Sequence, residues 1–198
     1  QGEGGLVRSI IPAQSVEFSK GIGGVTQTYY RHQAVITGLQ EGTDYSYRVL
    51  MNGEPLLGDD ELMFRTQGIA AFQFLAVGDT GSGSLEQVKV SQRMEREKPR
   101  FVLHTGDLSY PTSTFENLER NYFDQYRGMM KRLPFFPCPG NHDYYETEAY
   151  PNVSVHDLPV EQVQESDQGR YFSFEWNNAH IVSLDTNTPL IRAAHGTG

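Results

Sequence analysis

Three apolar runs in this sequence each end in a glycine followed at once by a polar side chain. FLAV (74–77) runs into Gly78-Asp79-Thr80-Gly81. FVLHT (101–105) runs into Gly106-Asp107-Leu108-Ser109-Tyr110, and FFPCP (135–139) into Gly140-Asn141-His142-Asp143. Asp79 and Asp107 stand 28 residues apart, and Asp107 and Asn141 stand 34 apart. Each interval is about the length of one strand–helix–strand unit, roughly 30 residues. The spacing therefore predicts a parallel sheet with all three motifs at the carboxyl ends of neighbouring strands, the edge where open α/β sheets form their sites. A glycine ahead of each polar residue lets the backbone turn sharply there.

The elements between the motifs follow from periodicity. Ala71–Val77, Phe101–Thr105 and Phe135–Cys138 read as the three strands. Ser84–Lys98 reads as a helix, opened by a capping box of Ser84 and Gln87 and stopped by Pro99. Thr114–Arg132 reads as a second helix with Ser113 as N-cap, its Phe115, Leu118, Tyr122, Tyr126 and Met129 recurring at helical spacing as a core stripe. Residues 143–169 read as a long polar loop. Tyr171–Trp176 and His180–Leu184 read as a hairpin turning at Asn177-Asn178.

The first third has a different character. Val16–Ser19, His32–Leu39, Thr43–Asn52 and Glu61–Thr66 read as short strands, with Tyr45, Tyr47, Val49 and Met51 sharing one face of the third. The segment LQEGTDY (39–45) resembles the tyrosine corner of fibronectin type III sandwiches. The expected organisation is a small all-β domain over 1–68 and an α/β (α+β) domain over 69–198.

Composition narrows the function. The 198 residues carry 16 Lys and Arg against 25 Asp and Glu, a net charge of −9. That balance argues against nucleic acid or an anionic membrane as partner, and an anionic substrate would need a cation to hold it. No apolar run approaches the ~18 residues of a membrane-spanning helix. Cys138 is the sole cysteine, which excludes an internal disulfide and a Cys-rich zinc site. The chain opens on Gln1 rather than Met, so its native start reads as removed. Asn152-Val153-Ser154 is a glycosylation sequon within the 143–169 loop.

The motif side chains offer two carboxylates (Asp79, Asp107), an amide oxygen (Asn141), a phenol (Tyr110) and an imidazole (His142). Oxygen-rich ligands of this kind suit Fe(III) and Mn(II) and tolerate Zn(II). A phenol, with its pKa near 10, ligates well only to a strongly acidic ion such as Fe(III). Two metals about 3.5–4 Å apart can clamp a phosphoryl group. Read alone, a Gly-Asp after a strand is a turn; three such motifs in order at this spacing are a site.

GDTG, GDLSY and GNHD, in this order, resemble the calcineurin-like metallophosphoesterases, and Tyr110, three residues after Asp107, resembles the purple acid phosphatases among them. RYFSFEWNNAHIVSLDTN (170–187) is similar to the strand pair that precedes the family's next helix. The resemblance implies the first part of a metallophosphoesterase sandwich preceded by a small fibronectin III-like domain. It implies Asp79 as a terminal ligand of the ferric site and Asp107 as a bridge between both metals. It implies Tyr110 as the phenolate that colours Fe(III), and Asn141 as a ligand of a divalent Zn, Mn or Fe. His142 would be proton donor or transition-state stabiliser. The implied reaction is in-line attack of metal-activated hydroxide on a small phosphomonoester, in a secreted, periplasmic or lysosomal-type compartment. A related phosphodiesterase or nucleotidase with Mn or Zn is the alternative.

The family pattern also calls for VxxH and GHxH after the strand ending in Ser183-Leu184-Asp185. Only 13 residues follow Asp185, and no GHxH occurs. Val153-Ser154-Val155-His156 fits VxxH as a string but precedes the Tyr171 strand. His104 and His180 read as sheet residues and His195 as solvated. The chain therefore reads as an incomplete piece, expected to hold metal weakly and to hydrolyse little by itself. If the natural chain ends at Gly198, a non-catalytic fragment is the second alternative.

Overall fold

The structure, a computed structural model, describes residues 9–22, 25–57, 62–145, 147–160 and 163–187. The chain divides into two units, residues 1–39 and 40–198. The first holds one antiparallel hairpin, β1 (Gln14–Ile22) against β2 (Val25–Gln33), in a register running from Gln14 opposite Gln33 to Ile22 opposite Val25. Cross-strand polar pairs tie it. Ser15 meets the His32 Nδ1 at 2.8 Å, and the Tyr30 hydroxyl donates to Glu17 at 2.8 Å. The second strand lies earlier than expected, and His32–Leu39 is strand only at His32 and Gln33. Val25, Thr26, Thr28, Tyr29 and Tyr30 are the β-branched and aromatic residues that favour a pleated strand.

The second unit begins with β3 (Asp44–Tyr47), which pairs antiparallel with β6 (Leu62–Arg65); between them β4 (Leu50–Met51) and β5 (Glu54–Pro55) form a minimal hairpin. The single strand expected over Thr43–Asn52 is thus broken. Asn52-Gly53 takes positive φ at both positions (53° and 87°), the geometry of a tight two-residue hairpin turn. Tyr45 and Tyr47 keep their shared face and pack on Phe64 at 5.8 and 5.9 Å, whereas Val49 and Met51 are exposed. The Tyr45 hydroxyl accepts from the Gln40 N–H at 2.9 Å, closing a tyrosine corner. Glu61, expected to start the last of these strands, lies outside the described residues, as does His195.

The parallel sheet follows, in the order β7 (Leu75–Val77), β8 (Val102–His104), β9 (Phe135–Pro137). Its crossovers are α1 (Leu85–Arg96) and a longer helical segment. Ser84 caps α1 as expected by accepting from the Gln87 N–H. The Gln87 side chain, however, reaches the Gly83 N–H at 2.7 Å rather than that of Ser84. The second helix is not uniform. α2 (Phe115–Leu118) passes into a π-helical turn over Glu119–Phe123 and then into α3 (Asp124–Met130). All five residues of its stripe are buried, and Leu118, Tyr122, Tyr126 and Met129 join Met94, Val102 and Leu108 in the core. Its N-cap is Thr114, not Ser113. The Ser113 hydroxyl donates instead to Asp143.

The opposite sheet face is covered by the antiparallel pair β10 (Phe172–Trp176) and β11 (Ala179–Ser183), turning at Asn177 with φ 55°. Phe136 stacks on Phe174 at 4.1 Å and Phe101 meets Trp176 at 4.7 Å, an aromatic layer between strands and hairpin. The segment expected as a polar loop holds two short helices, α4 (Asn141–Tyr144) and α5 (Tyr150–Val155), and a 3₁₀ turn at Glu165–Asp167. Asn152 of the sequon is fully buried in α5. A glycan there would have to displace the core, so the folded chain cannot carry one at Asn152. Among the described residues no helix is long and apolar enough to cross a membrane.

Candidate metal centre

The three motif loops close on one another through their glycines. A Cβ on Gly81 would stand 2.2 Å from the Leu108 carbonyl oxygen, and one on Gly106, whose φ is 104°, would stand 2.4 Å from the Gly140 nitrogen. A Cβ on Gly140 would reach Asp107 itself, 2.3 Å from Oδ1. Only glycine allows this approach. Backbone bonds stitch the same seam: Asp79 N–H to the Gly106 carbonyl at 3.1 Å and Tyr110 N–H to the Gly81 carbonyl at 2.9 Å. Asp79 and Asp107 both take the left-handed conformation, φ 57° and 55°. Such strain is sustained where surrounding structure enforces it, and it clusters at functional sites.

Asp79, Asp107 and Tyr110 come together as the sequence predicts. The Tyr110 hydroxyl lies 2.9 Å from Asp107 Oδ2 and 3.1 Å from Asp79 Oδ1. A phenol has one hydrogen, so two carboxylates share one donor. Burial, then the bond and charge of Asp107, then those of Asp79, raise the Tyr110 pKa. Three oxygens, two of them on carboxylates, thus crowd one point. A cation there would relieve the repulsion and take the phenol as a ligand. Asn141, the first residue of α4, lines with Asp79 and Asp107 a cleft of about 540 Å³ whose far wall is Ser183, Leu184, Thr186 and Asn187.

His142 meets the same carboxylate from its backbone: its N–H donates to Asp107 Oδ1 at 2.9 Å. Its ring packs edgewise on Tyr110, centroids 4.5 Å apart. Nδ1 lies 2.8 Å from the Pro111 carbonyl. A carbonyl only accepts, so Nδ1 carries a hydrogen and Nε2 is the nitrogen left for proton exchange.

The residue that sequence reasoning missed is Asp143, the last of the GNHD quartet. Its side chain is wholly buried. Oδ2 accepts from the Asp107 and Gly140 N–H groups, both at 2.8 Å, and Oδ1 from the Leu108 N–H at 3.2 Å and from the Ser113 hydroxyl. Burial raises its pKa while these four donors pull it back. Asp143 therefore pins the second and third loops together. The signal was a carboxylate three residues into a short helix behind a glycine, a position that favours acid.

The histidines outside the motifs stand elsewhere. His104 is buried under the site. Its Nδ1 faces the Gly106 N–H at 3.3 Å and so bears no hydrogen, leaving Nε2–H to donate to Thr80 at 2.8 Å. Burial, with a smaller contribution from His156, pushes its pKa down to about 3. His156, the VxxH string's histidine, packs against Tyr122 and Phe123 and bonds the Asn152 carbonyl through Nδ1. His180 is exposed and pairs with Glu175. Among the described residues, no group of three or more His, Cys, Asp and Glu side chains forms a metal site. The donors brought together are two carboxylates and a phenol, with Asn141 on the lining of the cleft that both carboxylates share; all are hard oxygen ligands that fit Fe(III), Mn(II) or Zn(II) in part of a coordination shell.

Residues 72–196 match the model of one family, described as calcineurin-like phosphoesterase. No curated protein matches the chain significantly.

Proposed function

The chain belongs to the calcineurin-like phosphoesterase family, and from that premise we propose that it acts as a metal-dependent phosphomonoesterase of the purple acid phosphatase type. The family implies metal-dependent phosphoester hydrolysis with a binuclear centre, and the metal pair, when bound, supplies Lewis acidity toward the phosphoryl group and acidifies water. Asp79, Asp107, Tyr110 and Asn141 are the residues that would hold it, with Asp107 placed between the other two motifs. The observation that carries the finer reading is the Tyr110 hydroxyl within hydrogen-bond reach of both Asp79 and Asp107. His142 holds one ring nitrogen on the Pro111 carbonyl and offers the other to a leaving-group oxygen.

The substrate on this reading is a small phosphate ester, and an acid phosphatase of this type would act in a secreted, periplasmic or lysosomal-type compartment. The Gln40–Tyr45 bond supports reading residues 1–68 as a fibronectin III-like domain ahead of the catalytic one. The division of the chain between residues 39 and 40 places β3–β6 with the parallel sheet, so that reading rests on the tyrosine corner alone.

Ferric loading tests the proposal. A visible charge-transfer band is expected, and Tyr110→Phe is expected to abolish it while leaving the fold intact. A colourless chain that hydrolyses p-nitrophenyl phosphate or bis-p-nitrophenyl phosphate with Mn or Zn would instead establish the phosphodiesterase or nucleotidase alternative.

A further inference from the structure

Two consecutive tyrosines leave α4, and the structure treats them oppositely. The Tyr144 hydroxyl donates to Asp185 and accepts from Arg170, whose guanidinium lies over its ring at 5.2 Å. Tyr145 is 64% exposed. Yet its backbone is pinned. The Tyr145 N–H donates to the Asn141 carbonyl at 3.1 Å, and the chain beyond is tied back by the Glu148 N–H to Tyr144 at 3.0 Å and the Ala149 N–H to Asp143 at 3.0 Å. A large aromatic ring is thus exposed to solvent one residue beyond the helix that carries a candidate ligand, a candidate proton donor and a buried clamp.

The ring's one aromatic neighbour among the described residues points back to the site. Tyr145 stands 6.5 Å from the His142 ring at 37°, and His142 stands 4.5 Å from the Tyr110 ring at 62°. The contacts thus run in series from the carboxylates through Tyr110 and His142 to Tyr145, the most exposed of the three rings. If phosphorus sits at the carboxylates and His142 beside the ester oxygen, the leaving group extends toward Tyr145. We propose that Tyr145 is the platform on which an uncharged, planar aromatic leaving group of a phosphomonoester lies, an inference that rests on the phosphoester reading above.

The chemistry favours that class. Aromatic pairs attract at centroid separations of about 4.5–7 Å, the range in which Tyr145 already meets His142. Tyrosine offers a wide flat surface at small entropic cost, having two side-chain torsions. The chain's charge of −9 disfavours a second free phosphate on the leaving group. An aliphatic group would gain area but no stacking.

The test compares three anions on the full 198-residue chain loaded with Mn(II): phenylphosphonate, methylphosphonate and inorganic phosphate, by calorimetry. The expected result is phenylphosphonate bound about tenfold tighter than methylphosphonate, a ratio that Tyr145→Ala reduces to near one and Tyr145→Phe keeps. Inorganic phosphate should bind all three proteins alike. Equal binding of the two phosphonates, or a ratio unchanged in Tyr145→Ala, with phosphate still bound, overturns the platform and leaves the phosphoester reading standing. Failure of all three anions to bind the folded, metal-loaded chain overturns both.

Discussion

Asp143 is the residue whose removal the structure evaluates most sharply. It makes four accepted hydrogen bonds inside a fully buried site, three from backbone N–H groups and one from Ser113. Asp143→Ala deletes the acceptor and strands all four donors. A buried donor left unpaired costs about 1–3 kcal/mol. Relaxation and water entry recover part of the sum, so a net loss of about 3–5 kcal/mol is expected, the range for one-sided removal of a buried charge partner. Asp143→Asn is a gentler change for a geometric reason. With its amide oxygen in the Oδ2 position it keeps the Asp107 and Gly140 N–H groups. Its NH₂ then faces Ser113, whose hydroxyl can turn to accept. Only the Leu108 N–H, the longest of the four bonds, loses its nearer acceptor, and it keeps a 3.4 Å contact with the oxygen in the Oδ2 position. The expected loss is about 1–2 kcal/mol. For a domain of this size 1 kcal/mol moves Tm by about 2–4 °C. Thermal melts should therefore fall by roughly 6–20 °C for the alanine variant and roughly 2–8 °C for the asparagine variant. Equal falls for the two variants, or a fall under about 2 °C for alanine, would refute the clamp.

Two further outcomes follow from the same seam. His104 is neutral in the fold, with a pKa near 3 against an ordinary value of 6.5. Unfolded chains bind the proton first, so stability should decline as pH falls below 6.5, by up to about 1.4 kcal/mol per pH unit and about 2 kcal/mol by pH 5. His104→Gln should flatten that slope in urea titrations between pH 7 and 4, and an unchanged slope would count against it. Gly140→Ala places a Cβ 2.3 Å from Asp107 Oδ1 and 2.4 Å from its nitrogen. An overpacking loss of about 2–4 kcal/mol is expected, and a Tm within about 2 °C of the parent would show that the loops can part.

What was legible in the sequence was periodic or punctuated. The three strands of the parallel sheet, the hairpin turning at Asn177 and the stripe from Phe115 to Met129 all follow from repeats of two or 3.6 with glycine or proline at their ends. What was not legible depended on partners far along the chain. Ser113 satisfies the local rule for a helix cap, but a buried carboxylate 30 residues away takes its hydroxyl, and the cap moves to Thr114. Tyr45 to Met51 alternates like one strand, but Asn52-Gly53 folds its end back into a separate hairpin. The helices at Asn141 and Tyr150 are four and six residues long, too short to show a period. Val153–His156 matched a ligand string, and only the packing of its histidine on Tyr122 and Phe123 shows where the ring goes.

The site itself was half legible for a related reason. Asp79, Asp107 and Tyr110 could be grouped because strand ends in a parallel sheet must lie side by side. Their distances could not, because they depend on how closely the loops approach. That approach is set by atoms that are absent: the missing Cβ of Gly81, Gly106 and Gly140. Each glycine admits the backbone of the neighbouring loop, and each aspartate is then held in a left-handed conformation that no single loop would keep. The carboxylates converge only when all three loops are closed, and closing them brings two negative charges to one phenol oxygen. A metal ion that binds the converged oxygens therefore binds the closed state and stabilises it, so metal affinity and the stability of this seam are one linked equilibrium. Substitutions at Asp143 and Gly140, which touch no proposed substrate, should weaken metal uptake in proportion to the stability they remove.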